Sequence, residues 1–179
     1  RPVFHNEVRI VDKLRRPVAN GGVGEIAVKG SNVMKGYWRA PRLTAEVLED
    51  GWYYTGDSGY LDESGYLYVA GRIKDMIVSG GENVYPVEVE NILSRHPAVK
   101  ECAVIGMPHE TWGESVHAVV RLLESGAATE REIIEYCRGR IAHYKCPRAV
   151  TFMDQEFPVS AINKILKNKL RDQLMRDGQ

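Results

Sequence analysis

Four short segments hold the residues of this sequence best suited to chemistry. The first is Tyr53-Tyr54-Thr55-Gly56-Asp57, where Thr55 and Gly56 favour a tight turn that holds the Asp57 carboxylate out of a strand. A fixed carboxylate can accept two hydrogen bonds from a ribose diol. The same run also suits an Asx turn, in which the side chain bonds its own backbone, and from the pentapeptide alone that is the plainer reading. Arg72 follows fifteen positions later, in Gly71-Arg72-Ile73-Lys74-Asp75. A hairpin spanning that interval brings Arg72 beside Asp57. The pair is then either a diol acceptor next to a cation or an exposed salt bridge worth about 0–1 kcal/mol.

The third segment is Met76-Ile77-Val78-Ser79-Gly80-Gly81-Glu82-Asn83, a short strand running into paired glycines. Such glycines tolerate positive φ and let a ligand lie against the backbone, although a Gly-Gly is most often a plain connector. It is not a phosphate loop of the GxxxxGK[ST] type, and no GxGxxG occurs. In the fourth segment, Ser160-Ala161-Ile162-Asn163-Lys164-Ile165, the pattern predicts a lysine at a helix start, where the dipole and the ammonium would together favour an anionic oxygen. Lys167 and Lys169 follow, so from the segment alone a solvated basic face is the plainer reading. The five histidines show no ligand spacing, and no metal site is expected. Cys102, Cys137 and Cys146 have no CxxC pairing, so they read as reduced thiols of a cytoplasmic protein. Cys146, between Lys145 and Arg148, is expected to be somewhat activated by positive charge.

The elements that must position these residues fall into two groups. Up to about residue 72 the chain is β-rich: Glu7–Val11 alternates, Gly24–Gly30 is a second strand, and Gly59–Leu61, the turn Asp62–Gly65 and Tyr66–Val69 form a hairpin. A brief helix is expected over Thr44–Glu49, capped by Thr44. Beyond it, Pro86 opens a helix over Val87–His96, and Val99–Ile105 and Ser115–Leu123 read as strands around a loop at Gly106–Gly113. Thr129 and Glu132 form a capping box for a helix bearing Ile133, Ile134, Cys137 and Ile141. A last helix is expected over Ala161–Met175, with Ile162, Ile165, Leu166, Leu170 and Leu174 along one stripe.

The composition suits a folded chain with a core: 179 residues, 44% apolar and 27% charged, with 24 basic residues against 24 acidic. Zero net charge gives no general attraction to nucleic acid or anionic membranes, and no apolar run approaches the roughly 18–20 residues of a membrane span. The opening Arg1-Pro2-Val3-Phe4-His5, with neither Met nor an apolar leader, suggests a piece of something longer.

Taken in order, these segments resemble the C-terminal part of the AMP-forming adenylating enzymes, a superfamily that includes acyl-CoA synthetases. Gly24-Glu25-Ile26 through Gly36-Tyr37-Trp38, Trp52 to Asp57, and Gly71 to Ile77 with Gly80 to Pro86 and Glu88-Val89-Glu90 are each similar to a family motif, in the family's order and spacing. The fold the resemblance implies is α+β: a β-rich subdomain over residues 1–73, the distorted barrel-like end of a larger body, then a small α/β lid over 74–179 hinged at Lys74. The implied activity is acid–thiol ligation, in which ATP and a carboxylate give acyl-AMP and CoA then gives a thioester. A fatty acid is the expected substrate, with an aryl acid, a carrier-protein-loading domain and a non-enzymatic binding module as alternatives.

By the same resemblance Asp57 and Arg72 contact ATP or AMP, and Lys164 is the catalytic lysine of adenylation, reaching the α-phosphate and the substrate carboxylate. Ser79, Gly80 and Gly81 line a pantetheine channel, and Trp112 and Tyr144 lie near the CoA adenine. The phosphate loop and most of the acyl pocket lie upstream in the family, so ATP with Mg2+ is expected to need that missing N-terminal domain, against which this part packs. The isolated chain is therefore expected to be inactive. Two positions depart from the family pattern: Asn163-Lys164 replaces the usual Gly-Lys, and Cys146 stands where a basic residue near the CoA phosphates is common.

Overall fold

A computed structural model describes residues 5–177, leaving Arg1–Phe4 outside it. The chain divides into two compact units, one up to Lys74 and the other from Asp75, each with its own sheet. The class is α+β, as the resemblance implied.

The first unit is built on antiparallel strands β1 (Asn6–Val11), β2 (Gly24–Gly30), β3 (Leu48–Glu49), β4 (Trp52–Leu61) and β5 (Leu67–Arg72). Strand β4 is the hub, pairing with β2 on one side and with both β3 and β5 on the other. Val11, Ala27 and Tyr54 form a small core with Trp52 packed against it. The hairpin closes through Asp62, whose carbonyl accepts from Gly65 and whose carboxylate accepts from the Tyr66 amide. Helix α1 (Pro41–Val47) begins three residues earlier than expected, because Pro41 presets the first turn. Thr44 is therefore not its cap. Its hydroxyl sits inside the helix, donating to the Ala40 carbonyl and accepting from the Tyr37 amide.

In the second unit β6 (Ile77–Ser79) and β7 (Glu82–Val84) make a hairpin that leads into α2 (Pro86–Leu93). Strands β8 (Val99–His109) and β9 (Gly113–Leu122) pair along their whole length, and β10 (Ala149–Phe152) runs parallel to β9. Alternation sorts the residues of β8 and β9 between two faces. Val104, Val116, Ala118 and Val120 pack with Val89 and Leu93 of α2 and with Ile133 and Cys137 of α3 (Glu130–Arg138). Ala103, Ile105 and Val119 pack with Phe157 and with Leu170 of α4 (Lys167–Asp177). The Thr129–Glu132 capping box forms as expected.

Three boundaries differ from expectation. Helix α2 ends at Leu93 rather than His96. The loop expected at Gly106–Gly113 is mostly strand: Gly106 and Pro108 read as breakers, yet they stand opposite Val116 and Glu114 in the ladder. Gly106 fits there because the Glu114 carboxylate occupies the space a side chain would need. The last helix starts at Lys167, not Ala161, for a reason given below. Among the described residues no helix is long and apolar enough to cross a membrane.

Candidate functional site

In the first unit, the register that sets Asp57 opposite Arg72 creates the expected pair. Arg72 Nε lies 2.9 Å from Asp57 Oδ1, an ion-pair contact in which the buried Nε–H is not aligned for a hydrogen bond. The turn before Asp57 is not an Asx turn. The Thr55 hydroxyl accepts from the Asp57 amide and donates to the Ile26 carbonyl, so the carboxylate is left to Arg72. Gly56, at φ 72°, turns its amide onto Glu25, 2.9 Å away. Glu25, Gly56, Arg72, Ile73 and Lys74 line an open cleft of about 330 Å³. Nearby, burial raises the Tyr53 phenol pKa, and a hydrogen bond with Tyr37 adds to it, joining two of the family-like segments. Lys74 is exposed on a 3-10 turn over Ile73–Asp75, at the end of the first unit.

In the second unit Gly80 and Gly81 are the two central residues of the β6–β7 turn, at φ 61° and 87°. Two successive positive angles define the primed turn that matches strand twist, which is why glycines stand here and why the segment is a hairpin rather than a strand-to-helix connector. The Gly80 amide donates to the Trp112 carbonyl at 3.0 Å, and the Trp112 ring lies against the Gly80 backbone. His109 stacks on that ring with centroids 4.1 Å apart, and the Arg148 guanidinium lies 3.4 Å from its centroid. Ser79 is buried where β6 meets Gly113. The structure thus gathers Ser79, Gly80, Gly81 and Trp112. Tyr144 is exposed on a 3-10 turn, and among the described residues no ring contact joins it to Trp112.

Lys164 occupies a tight hairpin, not a helix start. Val159 and Ile165 bridge, Ser160 exchanges backbone bonds with Asn163 and Lys164, and Asn163 lies at φ 59°. A type I turn closed by one left-handed residue has this pattern. The position favours glycine, and asparagine is among the few other residues that tolerate it, so Asn163 preserves the geometry despite departing from the family pattern. The Lys164 side chain is exposed.

Cys146 is not activated. It is 3% exposed, its thiol faces the Ala142 carbonyl, and burial raises its pKa. Its neighbour Lys145 turns to Glu88, with Nζ 2.7 and 2.8 Å from the two carboxylate oxygens. Partial burial opposes the Lys145 charge, but the Glu88 bonds outweigh it and raise the pKa. Glu90, the other acid of the Glu88-Val89-Glu90 segment, meets Lys167 at 2.6 Å and accepts from the Val104 amide at 2.7 Å. Local sequence gives no sign of these pairings, whose partners lie 57 and 77 positions apart. Among the described residues no group of three or more His, Cys, Asp or Glu side chains converges.

Residues 88–164 match the AMP-binding enzyme C-terminal domain, and residues 1–38 match the AMP-binding enzyme family. The chain belongs to the AMP-binding enzymes and carries their C-terminal domain. It is 47% identical over 171 residues to a 2-succinylbenzoate–CoA ligase of Geobacillus kaustophilus, covering 96% of this chain and 34% of that protein. It is 45% identical over 152 residues to the long-chain-fatty-acid–CoA ligase FadD13 of Mycobacterium tuberculosis, covering 85% and 30%. The structure of the o-succinylbenzoate CoA synthetase MenE from Bacillus subtilis, in complex with the acyl-adenylate intermediate OSB-AMP, superposes with a TM-score of 0.90 at 42% identity, covering 96% and 34%. The chain spans about a third of the length of these proteins.

Proposed function

We propose that this chain is part of a cytoplasmic AMP-forming acid–thiol ligase that joins a carboxylic acid to CoA through an acyl-adenylate. The observation that carries the reading is the cross-strand Asp57–Arg72 pair, which leaves carboxylate capacity and a cation side by side at an open cleft. Asp57 would accept the ribose hydroxyls and Arg72 would meet a phosphate or ribose oxygen. Lys164, on its tight hairpin, would stabilise the charge that gathers as a carboxylate attacks the α-phosphate. In the thiol-transfer step the Gly80-Gly81 turn would border the pantetheine chain, with Trp112 and Tyr144 near the adenine. Lys74 would be the hinge between the two half-reactions. ATP and CoA are substrates in this reading, Mg2+ comes with ATP in the N-terminal domain, and the two units pack against that domain.

The acid is a fatty acid in the first reading. An aromatic acid is the second, supported by the likeness to the succinylbenzoate ligase and to MenE. Acid-dependent ATP–pyrophosphate exchange by the full-length protein, across a panel of fatty and aryl acids, tests both. Exchange that requires an acid, and AMP release that requires CoA rather than a phosphopantetheinylated carrier protein, support the ligase. Residues 1–179 alone are expected to make no thioester, and thioester formation by them would overturn that part of the reading.

A further inference from the structure

The Lys164 hairpin has no helix of its own; α4 follows its second arm. That arm is tied to the first by the Val159–Ile165 bridge and by the bond from the Leu166 amide to the Pro158 carbonyl, 2.8 Å. The next residue, Lys167, opens α4. Its ammonium is 2.6 Å from Glu90 Oε1, and both side chains are four-fifths buried. The same carboxylate oxygen takes the Val104 amide at 2.7 Å, so Glu90 connects α2, β8 and the foot of the Lys164 hairpin. One turn further along α4, Arg171 meets Glu114 at 3.1 Å, and Glu114 also accepts from the Val78 amide at 3.1 Å. Two cations four residues apart on one helix face therefore fasten α4 to the sheet, each through a glutamate that also holds a backbone amide. Exposed pairs of this kind contribute little. A largely buried pair sharing an acceptor with the backbone fixes geometry, because losing either partner leaves a largely buried charge without its counter-ion.

Building on the proposed role of Lys164, we infer that Glu90 and Lys167 are positioning residues for the adenylation half-reaction. They set the base from which the hairpin presents the Lys164 ammonium, without touching substrate themselves. A displacement of about 1 Å at a reacting group can cost a hundredfold in rate, so a small loss of register at the hairpin foot has a large effect on that step. Thiol transfer from an acyl-adenylate already formed makes no demand on Lys164 in this reading, and so none on the pair.

The test uses the full-length protein and measures the two half-reactions separately: acid-dependent ATP–pyrophosphate exchange, and thioester formation from supplied acyl-adenylate and CoA. Lys167→Met is expected to slow exchange roughly ten- to a hundredfold while leaving thioester formation within about twofold. Lys167→Arg, which keeps the charge, restores most of the exchange rate. Arg121→Gln breaks another half-buried pair of the same sheet, Arg121–Glu101 at 2.9 Å, and leaves the ratio of the two rates unchanged. Should Lys167→Met fail to fold, Glu90→Gln carries the test, since its amide oxygen still accepts from Val104 after the ion pair is gone. Equal loss in both half-reactions, or no loss in either, overturns the inference. Lys164→Ala, run alongside, separates two failures: unchanged exchange removes the role of Lys164 itself, whereas slowed exchange with a normal Lys167→Met removes only the positioning by the pair.

Discussion

Replacing Gly106 by alanine tests whether Glu114 organises this part of the second unit. Nothing about the Gly106 backbone forbids a side chain, and alanine in a strand would ordinarily stabilise by about 0.4–1 kcal/mol through the unfolded chain. The space, however, is taken. An added Cβ would come within 2.9 Å of Glu114 Cδ and Oε1 and 3.0 Å of Oε2, and these are its three nearest neighbours. The carboxylate can swing aside, but doing so gives up the Val78 amide and Arg171. A hydrogen bond to a charged group contributes about 1.5–3 kcal/mol, and the low end applies because the Val78 amide can be rehydrated. The part-exposed Arg171 pair adds about 0–1 kcal/mol. Set against the gain from alanine, Gly106→Ala is expected to destabilise by about 0.5–2 kcal/mol. In a Glu114→Ala background the obstacle is absent, and the same substitution should stabilise by about 0.4–1 kcal/mol. Urea unfolding of the four proteins, followed by circular dichroism, completes the double-mutant cycle. Additive effects would refute the argument, because they would mean that the cost of Gly106→Ala does not pass through Glu114.

Asn163→Gly should leave stability within roughly 0.5 kcal/mol, whereas Asn163→Val should cost about 1–2 kcal/mol by forcing a β-branched residue into the left-handed region; thermal unfolding of the two variants checks this. Burial lowers the His117 pKa, with nearby Glu130 opposing the shift and Thr151 bonded at 2.9 Å. Its folded value therefore lies below the unfolded value of about 6.5, so the unfolded chain takes up protons first and stability falls as pH drops below about 6.5. Urea midpoints measured from pH 7.5 to 5 should show that decline, and it should lessen in His117→Gln. The Cys102 and Cys137 thiols are pushed up to about 12 chiefly by burial, and Cys146 is raised by the same cause. All three should resist iodoacetamide at pH 8 until urea unfolds the chain, and a thiol that is alkylated rapidly in the native state would contradict the burial argument.

What the sequence showed, it showed through local chemistry. The Asp62–Gly65 turn sets the hairpin register over Gly59–Leu61, and a bulge between Ser58 and Gly59 then shifts the pairing by one residue, so that Asp57 stands opposite Arg72. The Thr129–Glu132 box and the strands at Val99–Ile105 and Ser115–Leu123 were legible because each signal is complete within a few residues. The segment around Lys164 misled because Ile162, Ile165 and Leu166 have helical spacing, whereas the structure leaves Ile162 84% exposed and turns the chain back at Asn163. A periodicity count cannot see a left-handed residue inside its window. Tethers such as Glu90–Lys167 and Glu114–Arg171 were invisible for a different reason, since they join residues that only the finished fold brings together.

The two faces of the β8–β9 ladder are not equally furnished. Among the described residues, thirteen buried ones gather on the side of α2 and α3, but five on the side of α4. Partial opening of a fold tends to begin where the least apolar surface must be exposed. Hydrogen exchange should accordingly divide this unit into two cooperative layers. Amides of α4 and of the 158–166 hairpin should exchange through a low-energy excursion, while those of α2, α3 and the sheet interior wait for global unfolding. The lysine hairpin would then sit on the unit's most easily released layer, and the ion pairs of α4 would act as the latch that sets how often it opens.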